Sequence, residues 1–274
     1  MTSAHLDDHL PPGQAPIRTS GIGLFRTQID LLKSAQPAPV IGIVRGGPGT
    51  GKTIAAHLYL TEEEQKWQPP DLPCVLVDMM PQTTAGWLLN SISRQISDVP
   101  RSRTFHEALE HVLTALEQRR VRLLMFDNAD YLIPRHMELL QTLLWKSSCS
   151  VLLIGLPHLL TAIRTNQRLE SHLGLSLLFP PLSEEEVIAS FLPRLTISGW
   201  VFDPQNEFDL YMGKYLWRKS CPSLRRLRLI LTYASQLAQQ LGIPRITLEE
   251  IRFAVRMMVP QKGRSNAQSE EEDM

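Results

Sequence analysis

The sequence has few cysteines, no excess of charge and no long apolar run. Its three cysteines are isolated, without Cys-x-x-Cys spacing, which predicts reduced thiols and a cytoplasmic location. The 28 Lys and Arg residues equal the 28 Asp and Glu residues, so any DNA-binding surface must be local. No apolar run approaches the roughly 18 residues of a membrane helix, and the N-terminus shows no signal-peptide pattern. We therefore expect neither a membrane protein nor a disulfide-rich secreted one.

The clearest positive signal is the stretch GGPGTGKT, which fits the phosphate-binding pattern G-x-x-x-x-G-K-[ST]. The β-branched run at 40–44 is typical of a buried parallel strand, and residues 54–60 indicate a helix. Glycines let backbone N–H groups converge on phosphate oxygens, and the helix start adds a positive dipole end. We therefore expect ATP to be bound by Gly46, Gly47, Pro48, Gly49, Thr50, Gly51, Lys52, Thr53 and Ile54.

The charged and hydroxyl residues near this loop indicate a metal–nucleotide site. The Lys52 ammonium should reach the β- and γ-phosphates, and the Thr53 hydroxyl should bind Mg²⁺. Further along the chain, the apolar run 121–126 ends at Asp127, an arrangement in which a strand delivers an aspartate to Mg²⁺. Lys52 and Asp127 are therefore predicted catalytic residues, with Thr53 and Asp127 as the metal ligands.

The order of the patterns predicts the domain organisation. Strand patterns alternate with amphipathic helix patterns, which predicts an α/β fold with a parallel sheet between two helical layers. From Ser183 onwards only helix patterns follow, and capping boxes at Ser183–Glu186 and Thr247–Glu250 begin two of them; the first helix should continue through Leu192. The expected segments are an N-terminal arm with a short helix (1–35), a nucleotide-binding core (36–181), a helical lid (182–260) and an acidic disordered tail (261–274).

This layout resembles an AAA+ ATPase. From about residue 20 to 258 it resembles the TnsC, TniB and MuB transposition regulators and their ExeA-like relatives. The local matches are MFDNADYL at Met125–Leu132, LLIGLPHLL at Leu152–Leu160 and LRRLRLIL at Leu224–Leu231. The resemblance implies a homo-oligomeric ring or filament that forms on double-stranded DNA with ATP and recruits a transposase to a marked target. It also implies a bridge to a TniQ-like target-selection protein, which in some relatives is RNA-guided.

Three positions depart from the pattern of these relatives. Their water-activating glutamate is replaced by Asn128, which can orient a water molecule but cannot accept its proton. Their polar sensor residue is replaced by Leu156, and His172 stands where a neighbouring subunit's arginine finger would be. Arg168 or Arg164 could supply a displaced finger. Because such a finger contributes roughly 10³–10⁵ in rate, we expect ATP binding with slow hydrolysis.

The same resemblance implies roles for residues outside the phosphate loop. Arg226 matches the lid arginine called sensor 2, which contacts the γ-phosphate; the alternative is a solvated basic helix face. Loops after the second strand would line the DNA, and backbone contacts that carry no sequence information suit their side chains. The alternative is an ordinary surface loop. The DNA-contacting residues implied in this way are Gln82, Thr83, Arg101 and Arg103.

Two rival functions remain open from the sequence. One is a helicase loader or replication initiator, whose lid would bind a replicative helicase. The other is a scaffold in which ATP is bound but not hydrolysed, which Asn128 and Leu156 favour. Both rivals share the predicted ATP site and differ from a transposition regulator in partner or turnover.

Overall fold

The computed structural model describes residues 16–34, 39–97, 102–221 and 223–258. The chain forms two compact units. The α/β unit contains the described residues up to Glu186 and, from a later part of the chain, Ser223 and Leu224. The helical unit contains residues 187–221 and 225–258. The acidic segment at the end of the sequence lies outside the described residues. Within the described ranges, no helix is both long and apolar enough to cross a membrane.

A five-stranded, fully parallel sheet forms the centre of the α/β unit, with the strand order β2-β3-β4-β1-β5. The inner strands β1, β3 and β4 are almost wholly buried, as strands are when helices cover both faces of a parallel sheet. This confirms the α/β prediction. The strands are β1 Ile41–Arg45, β2 Cys74–Asp78, β3 Leu123–Asp127, β4 Ser150–Gly155 and β5 Leu173–Leu178.

Helices on the two faces of the sheet enclose separate apolar cores. One core contains Phe25 and Ile29 of α1 with Ala55 and Tyr59 of α2. The other core takes its side chains from α3, α4 and α5 on the opposite face. The helices of this unit are α1 Ser20–Ser34, α2 Lys52–Glu64, α3 Ala85–Ile96, α4 Phe105–Gln118, α5 Pro134–Lys146, α6 Leu159–Arg164 and α7 Gln167–Glu170.

The capping box at Ser183–Glu186 forms, but the continuous helix expected through Leu192 does not. The Ser183 N–H donates to Glu186 Oε2 at 3.0 Å, and the Glu186 N–H donates to Ser183 Oγ at 3.1 Å. The single turn Glu184–Glu186 is then followed by a π-helical segment, Val187–Phe191, and a 3₁₀ turn, Leu192–Arg194. Pro193 explains the interruption, because its ring would clash with the carbonyl four residues earlier in an α-helix.

The helical unit contains three longer helices: α8 Glu207–Ser220, α9 Leu224–Gln240, whose first residue belongs to the α/β unit, and α10 Leu248–Met257. Leu216, Leu227 and Ile251 are buried in its core. The Thr247–Glu250 capping box expected from the sequence forms at the start of α10. Local sequence signals therefore set where this helix begins.

Candidate nucleotide-binding site

The loop between β1 and α2 curls at the carboxyl edge of the sheet. Gly49 and Gly51 have φ angles of 74° and 106°, in the left-handed region that glycine adopts most easily. The Gly46 N–H donates to the Gly155 carbonyl at 3.1 Å, which ties the loop to the end of β4. A Cβ atom on Gly46 would lie 3.0 Å from the Phe179 carbonyl oxygen, so the backbone approach requires glycine there.

Lys52, the first residue of α2, folds its side chain back over this loop. The residue is only 8% exposed, and its Nζ donates to the carbonyl oxygens of Gly46 at 2.9 Å and Gly47 at 2.8 Å. The Thr50 hydroxyl donates to the same Gly47 carbonyl at 3.0 Å. The loop therefore holds a positive charge among backbone groups, and phosphate oxygens are stronger acceptors for that charge than neutral carbonyls.

Asp127 ends β3 and is 2% exposed. Its Oδ1 accepts the backbone N–H of Asn128 at 2.9 Å, whereas its Oδ2 is buried and has no hydrogen-bond partner in the described part of the chain. Burial raises the pKa of this carboxyl group, while the Thr53 hydroxyl and the Asn128 N–H act in the opposite direction. A buried, unpartnered carboxylate oxygen costs free energy, and a divalent cation would remove that cost.

The residues present fit a Mg²⁺-bound nucleoside triphosphate. The Asp127 carboxylate and the Thr53 hydroxyl are oxygen donors close enough to influence each other electrostatically. Mg²⁺ characteristically takes one or two protein oxygens and completes its shell with phosphates and water. The described residues contain no group of three or more His, Cys, Asp or Glu side chains that could hold a metal ion.

The family model described as an AAA domain matches residues 38–163, a range that includes the loop, β1 to β4 and the Asp127 site. The α/β unit has an AAA+ fold. No curated protein matches the chain.

Solved structures show the same fold over most of the chain. The Aeropyrum pernix ORC2 protein in its ADP form is 19% identical, with a TM-score of 0.68 over 92% of this chain and 71% of that one. The A. pernix ORC1 protein in complex with DNA is also 19% identical, with a TM-score of 0.66 over 91% and 68%. The Thermotoga maritima RuvB Holliday junction branch migration motor is 12% identical, with a TM-score of 0.53 over 88% and 69%. The TM-scores show a shared fold, and at sequence identities this low the similarity shows the fold alone.

Asn128 follows Asp127 and has an unusual backbone conformation. Its φ and ψ angles are 53° and 39°, in the left-handed region, and it precedes the 3₁₀ turn Ala129–Tyr131. Asparagine tolerates this region better than most residues with a Cβ atom. The side chain is exposed beside the Asp127 site and has no proton-accepting group.

At the end of β4, Leu156 uses its backbone N–H at the position where the resemblance implied a polar side chain. Its N–H donates to both carboxylate oxygens of Asp130, each at 2.9 Å. Asp130 also lies 3.3 Å from His158 Nε2, and a Cβ atom on Gly155 would lie 2.7 Å from the same carboxylate. Asp130 therefore links the ends of β3 and β4. No role was predicted for Asp130 from the sequence, although a polar residue shortly after the end of a strand often belongs to a functional site.

His172, at the expected finger position, lies at the edge of the sheet opposite the phosphate loop. The neighbouring residue Leu173 pairs with Ile41 at the start of β1, whereas the loop follows Arg45 at its end. The four residue steps from Ile41 to Arg45 span about 13 Å. Reaching the loop of its own chain would therefore require His172 to cross that distance; a role at a neighbouring copy's nucleotide stays a prediction.

The imidazole of His172 is already engaged by a neighbour that the sequence did not indicate. Trp145 Nε1 donates to His172 Nε2 at 3.1 Å, and Trp145 itself is 67% exposed. An indole N–H is only a donor, so the imidazole Nε2 is the acceptor in this contact. Arg164 and Arg168, the alternative fingers, are exposed on α6 and α7, and neither forms an ion pair with another described residue.

Arg226 belongs to α9, and its Nε donates to the Lys219 carbonyl at 3.0 Å within the helical unit. Its role as a γ-phosphate sensor stays a prediction.

The predicted DNA-contacting residues precede and follow α3. Gln82 is exposed with a left-handed φ of 61°, and the Thr83 hydroxyl is buried without a hydrogen-bond partner in the described ranges. Arg103 is exposed just before the capping residue of α4, and Arg101 lies outside the described residues. Among the residues that the structure describes, no hydrogen bond or ion pair joins the two loops. DNA contact by these residues stays a prediction.

Proposed function

We propose that this protein is an AAA+ ATPase that binds ATP with Mg²⁺, assembles as a homo-oligomer on duplex DNA, and hydrolyses the nucleotide slowly. Two observations in the same site support the binding of ATP with Mg²⁺. Lys52 is buried, and Asp127 Oδ2 is buried without a hydrogen-bond partner among the described residues. Lys52 Nζ donates to carbonyl oxygens of the phosphate loop, and Asp127 Oδ2 has no hydrogen-bond partner among the described residues. A phosphate chain with its cation would satisfy them together.

Slow hydrolysis follows from the chemistry of three positions. Asn128 cannot take a proton from the attacking water, and the Leu156 side chain cannot hydrogen-bond a phosphate. His172 accepts a hydrogen bond from Trp145 at the position where the related ATPases present an arginine. Each change removes stabilisation of the transition state more than binding of the ground state. We therefore infer a protein in which bound ATP acts mainly as a switch for assembly.

The finer role that we propose is a transposition regulator that marks a target site and recruits a transposase, with a TniQ-like protein as the target-selection partner. It is supported by the motifs at Met125–Leu132, Leu152–Leu160 and Leu224–Leu231. A replication initiator or helicase loader is the second candidate. It is supported by the fold shared with ORC proteins, including the A. pernix ORC1 protein solved in complex with DNA.

Electron microscopy with linear duplex DNA tests the shared part of this proposal. The protein is mixed with DNA in ATP, in ADP and without nucleotide, beside the Lys52→Ala variant. We expect rings or filaments on DNA only with ATP, and none with Lys52→Ala, because the variant loses the cation that engages the phosphates. Thermal denaturation of the variant without nucleotide controls for folding. Dispersed particles under every condition would contradict the proposal of ATP-dependent assembly.

Partner capture separates the two finer roles. The ATP-assembled complex is presented to a purified transposase and to a purified replicative helicase from the same organism. Specific ATP-dependent binding of the transposase supports the regulator, and binding of the helicase instead supports the loader. Lys52→Ala serves as the control in both assays, since contacts that persist in it do not depend on assembly.

A further inference from the structure

The neutral chain conceals an uneven distribution of charge. The described residues of the helical unit include ten Lys and Arg residues but only five Asp and Glu residues. Those of the α/β unit include fifteen Lys and Arg residues and sixteen Asp and Glu residues. Counting each Lys and Arg as +1 and each Asp and Glu as −1, the described residues of the helical unit carry a formal net charge of +5. This excess makes the helical unit the more attractive surface for a polyanion.

The acidic residues of the helical unit do little to neutralise this excess. Asp209 is buried and accepts from Arg245 at 2.6 Å, so it is committed to one arginine. Glu250 is also buried and accepts the Thr247 N–H at 2.8 Å within its capping box. The other three acids lie at or just before the first turns of α8 and α10: Asp203, Glu207 and Glu249.

Two of the cations converge on one aromatic ring. Lys219 Nζ lies 5.5 Å and Arg252 Cζ lies 5.8 Å from the centroid of the Tyr215 ring, so cations from α8 and α10 share a single tyrosine. The ring attracts each cation and restricts its position. Arg256 lies one turn further along α10 from Arg252, on the same face of the helix, and is exposed.

These three cations have no acidic partner in the described structure. Lys219, Arg252 and Arg256 form no ion pair there, and Arg252 Nε is buried without a hydrogen-bond acceptor. Lys219 and Arg256 are placed favourably in last turns of helices, but Arg252 is in the middle of α10, where the helix dipole gives no such advantage. Holding like charges together costs free energy that an external anion would offset.

We propose that Lys219, Arg252 and Arg256, here called the α8–α10 cationic surface, bind the phosphate backbone of duplex DNA. This inference rests on the proposed function, and it locates part of the DNA contact on the helical unit rather than only on the loops beside α3. Duplex DNA is the occupant that fits, because it presents closely spaced phosphates to cations on two neighbouring helices. Contacts of this kind hold the duplex without reading its sequence.

Duplex affinity measured by fluorescence anisotropy, with ATP and at several salt concentrations, tests the surface. The variants are Lys219→Gln, Arg252→Gln and Arg256→Gln, with Lys214→Gln, an exposed lysine of α8 outside the surface, as the matched control. Each surface variant should weaken binding severalfold for every duplex sequence. Each should also reduce the slope of log K against log salt by about 0.9 per lost phosphate contact. Lys214→Gln should retain the wild-type slope, and Lys219→Arg should bind nearly as well as wild type.

The outcomes distinguish this surface from the proposed function. If wild type binds duplex but all three glutamine variants keep its affinity and salt slope, the surface is wrong while the proposed function stands. If wild type binds no duplex in ATP, the proposed function fails and the surface with it. If the variants weaken binding of an ATP analogue in the absence of DNA, the cations serve the nucleotide instead, which also overturns the inference. Arg256→Gln keeps the test valid if a change near Tyr215 impairs folding, because Arg256 is exposed.

Discussion

At the scale of single residues, Asn128 is the position that we expect to limit ATP hydrolysis without limiting ATP binding. It lies in left-handed backbone directly after the aspartate that is proposed to hold Mg²⁺. An amide there can position a water molecule without accepting its proton. Binding and turnover are therefore expected to respond to different substitutions.

Asn128→Glu should raise the rate of ATP hydrolysis by about 10²-fold, since a positioned base contributes roughly 10²–10⁴. The variant should also lose about 1 kcal/mol of folding stability, because glutamate tolerates left-handed backbone poorly. Phosphate release and thermal denaturation measure the two effects. Asn128→Gln is the matched control, with similar strain and no base. Equal hydrolysis rates in the two variants would show that position 128 does not limit turnover.

The three thiols should differ in reactivity. Burial raises the pKa of Cys74 to about 12 and that of Cys149 to about 11, whereas Cys221 is only partly buried. Because the thiolate is the reactive form, at pH 8 a disulfide reagent should modify Cys221 quickly and the other two only as the protein unfolds. Titration in native buffer and in denaturant measures this. Rapid reaction of all three in native buffer would contradict the burial of β2 and of the start of β4.

At the scale of elements, the start of α10 depends on its capping box. Thr247→Ala should lower the free energy of unfolding by about 1 kcal/mol, the usual cost of losing an N-cap. Thr232→Ala is the control, because this exposed hydroxyl only donates to the Arg228 carbonyl within α9, and its loss should change stability by less than about 0.5 kcal/mol. Chemical denaturation measures both. Equal losses would indicate that the cap contributes nothing specific.

The same cap has a predicted pH dependence. Burial alone would raise the pKa of Glu250, but hydrogen bonds from Thr247 lower it below its ordinary value. A lowered pKa stabilises the fold above the unfolded value of about 4.3, and this contribution is lost as pH falls through the folded value. The stability difference between wild type and Thr247→Ala should therefore shrink below about pH 4. A difference that stays constant down to pH 3 would argue against ionised Glu250 as the capping group.

Elements with strong local signals were predictable from sequence. The phosphate loop, the parallel strands and both capping boxes follow from glycine spacing, apolar runs and short polar motifs. The break after Glu186 was not predicted, because a capping box indicates where a helix begins but not how far it continues. The contacts of Asp130 with Leu156 and of Trp145 with His172 were also missed, since each joins residues 26 or 27 positions apart and forms only when the chain is folded.

At the scale of the whole molecule, the equal numbers of acidic and basic residues gave an incomplete guide to binding. Averaging over the chain conceals a helical unit with twice as many basic as acidic residues. Sequence analysis placed DNA contacts on two loops by resemblance alone. The ring contacts of Tyr215 could not be read from sequence, because they depend on how α8 and α10 pack.

Placing an arginine at position 172 should make the ATPase rate depend on assembly of the protein. His172→Arg in the Asn128→Glu background should make the specific ATPase activity rise with protein concentration on duplex DNA, by at least 10-fold, since a finger contributes roughly 10³–10⁵ when placed well. The control is His172→Gln in the same background, which keeps a neutral side chain. Specific activity that is independent of concentration in both would show that position 172 does not reach a neighbour's nucleotide.

The left-handed backbone at Asn128 also has an evolutionary consequence. Aspartate tolerates this conformation nearly as well as asparagine, and the codons of the two amino acids differ by a single base. One mutation can therefore bring a carboxylate beside the Asp127 site without backbone strain. A sequence expected to hydrolyse ATP faster and a sequence expected to keep ATP bound for longer therefore differ by one base at codon 128.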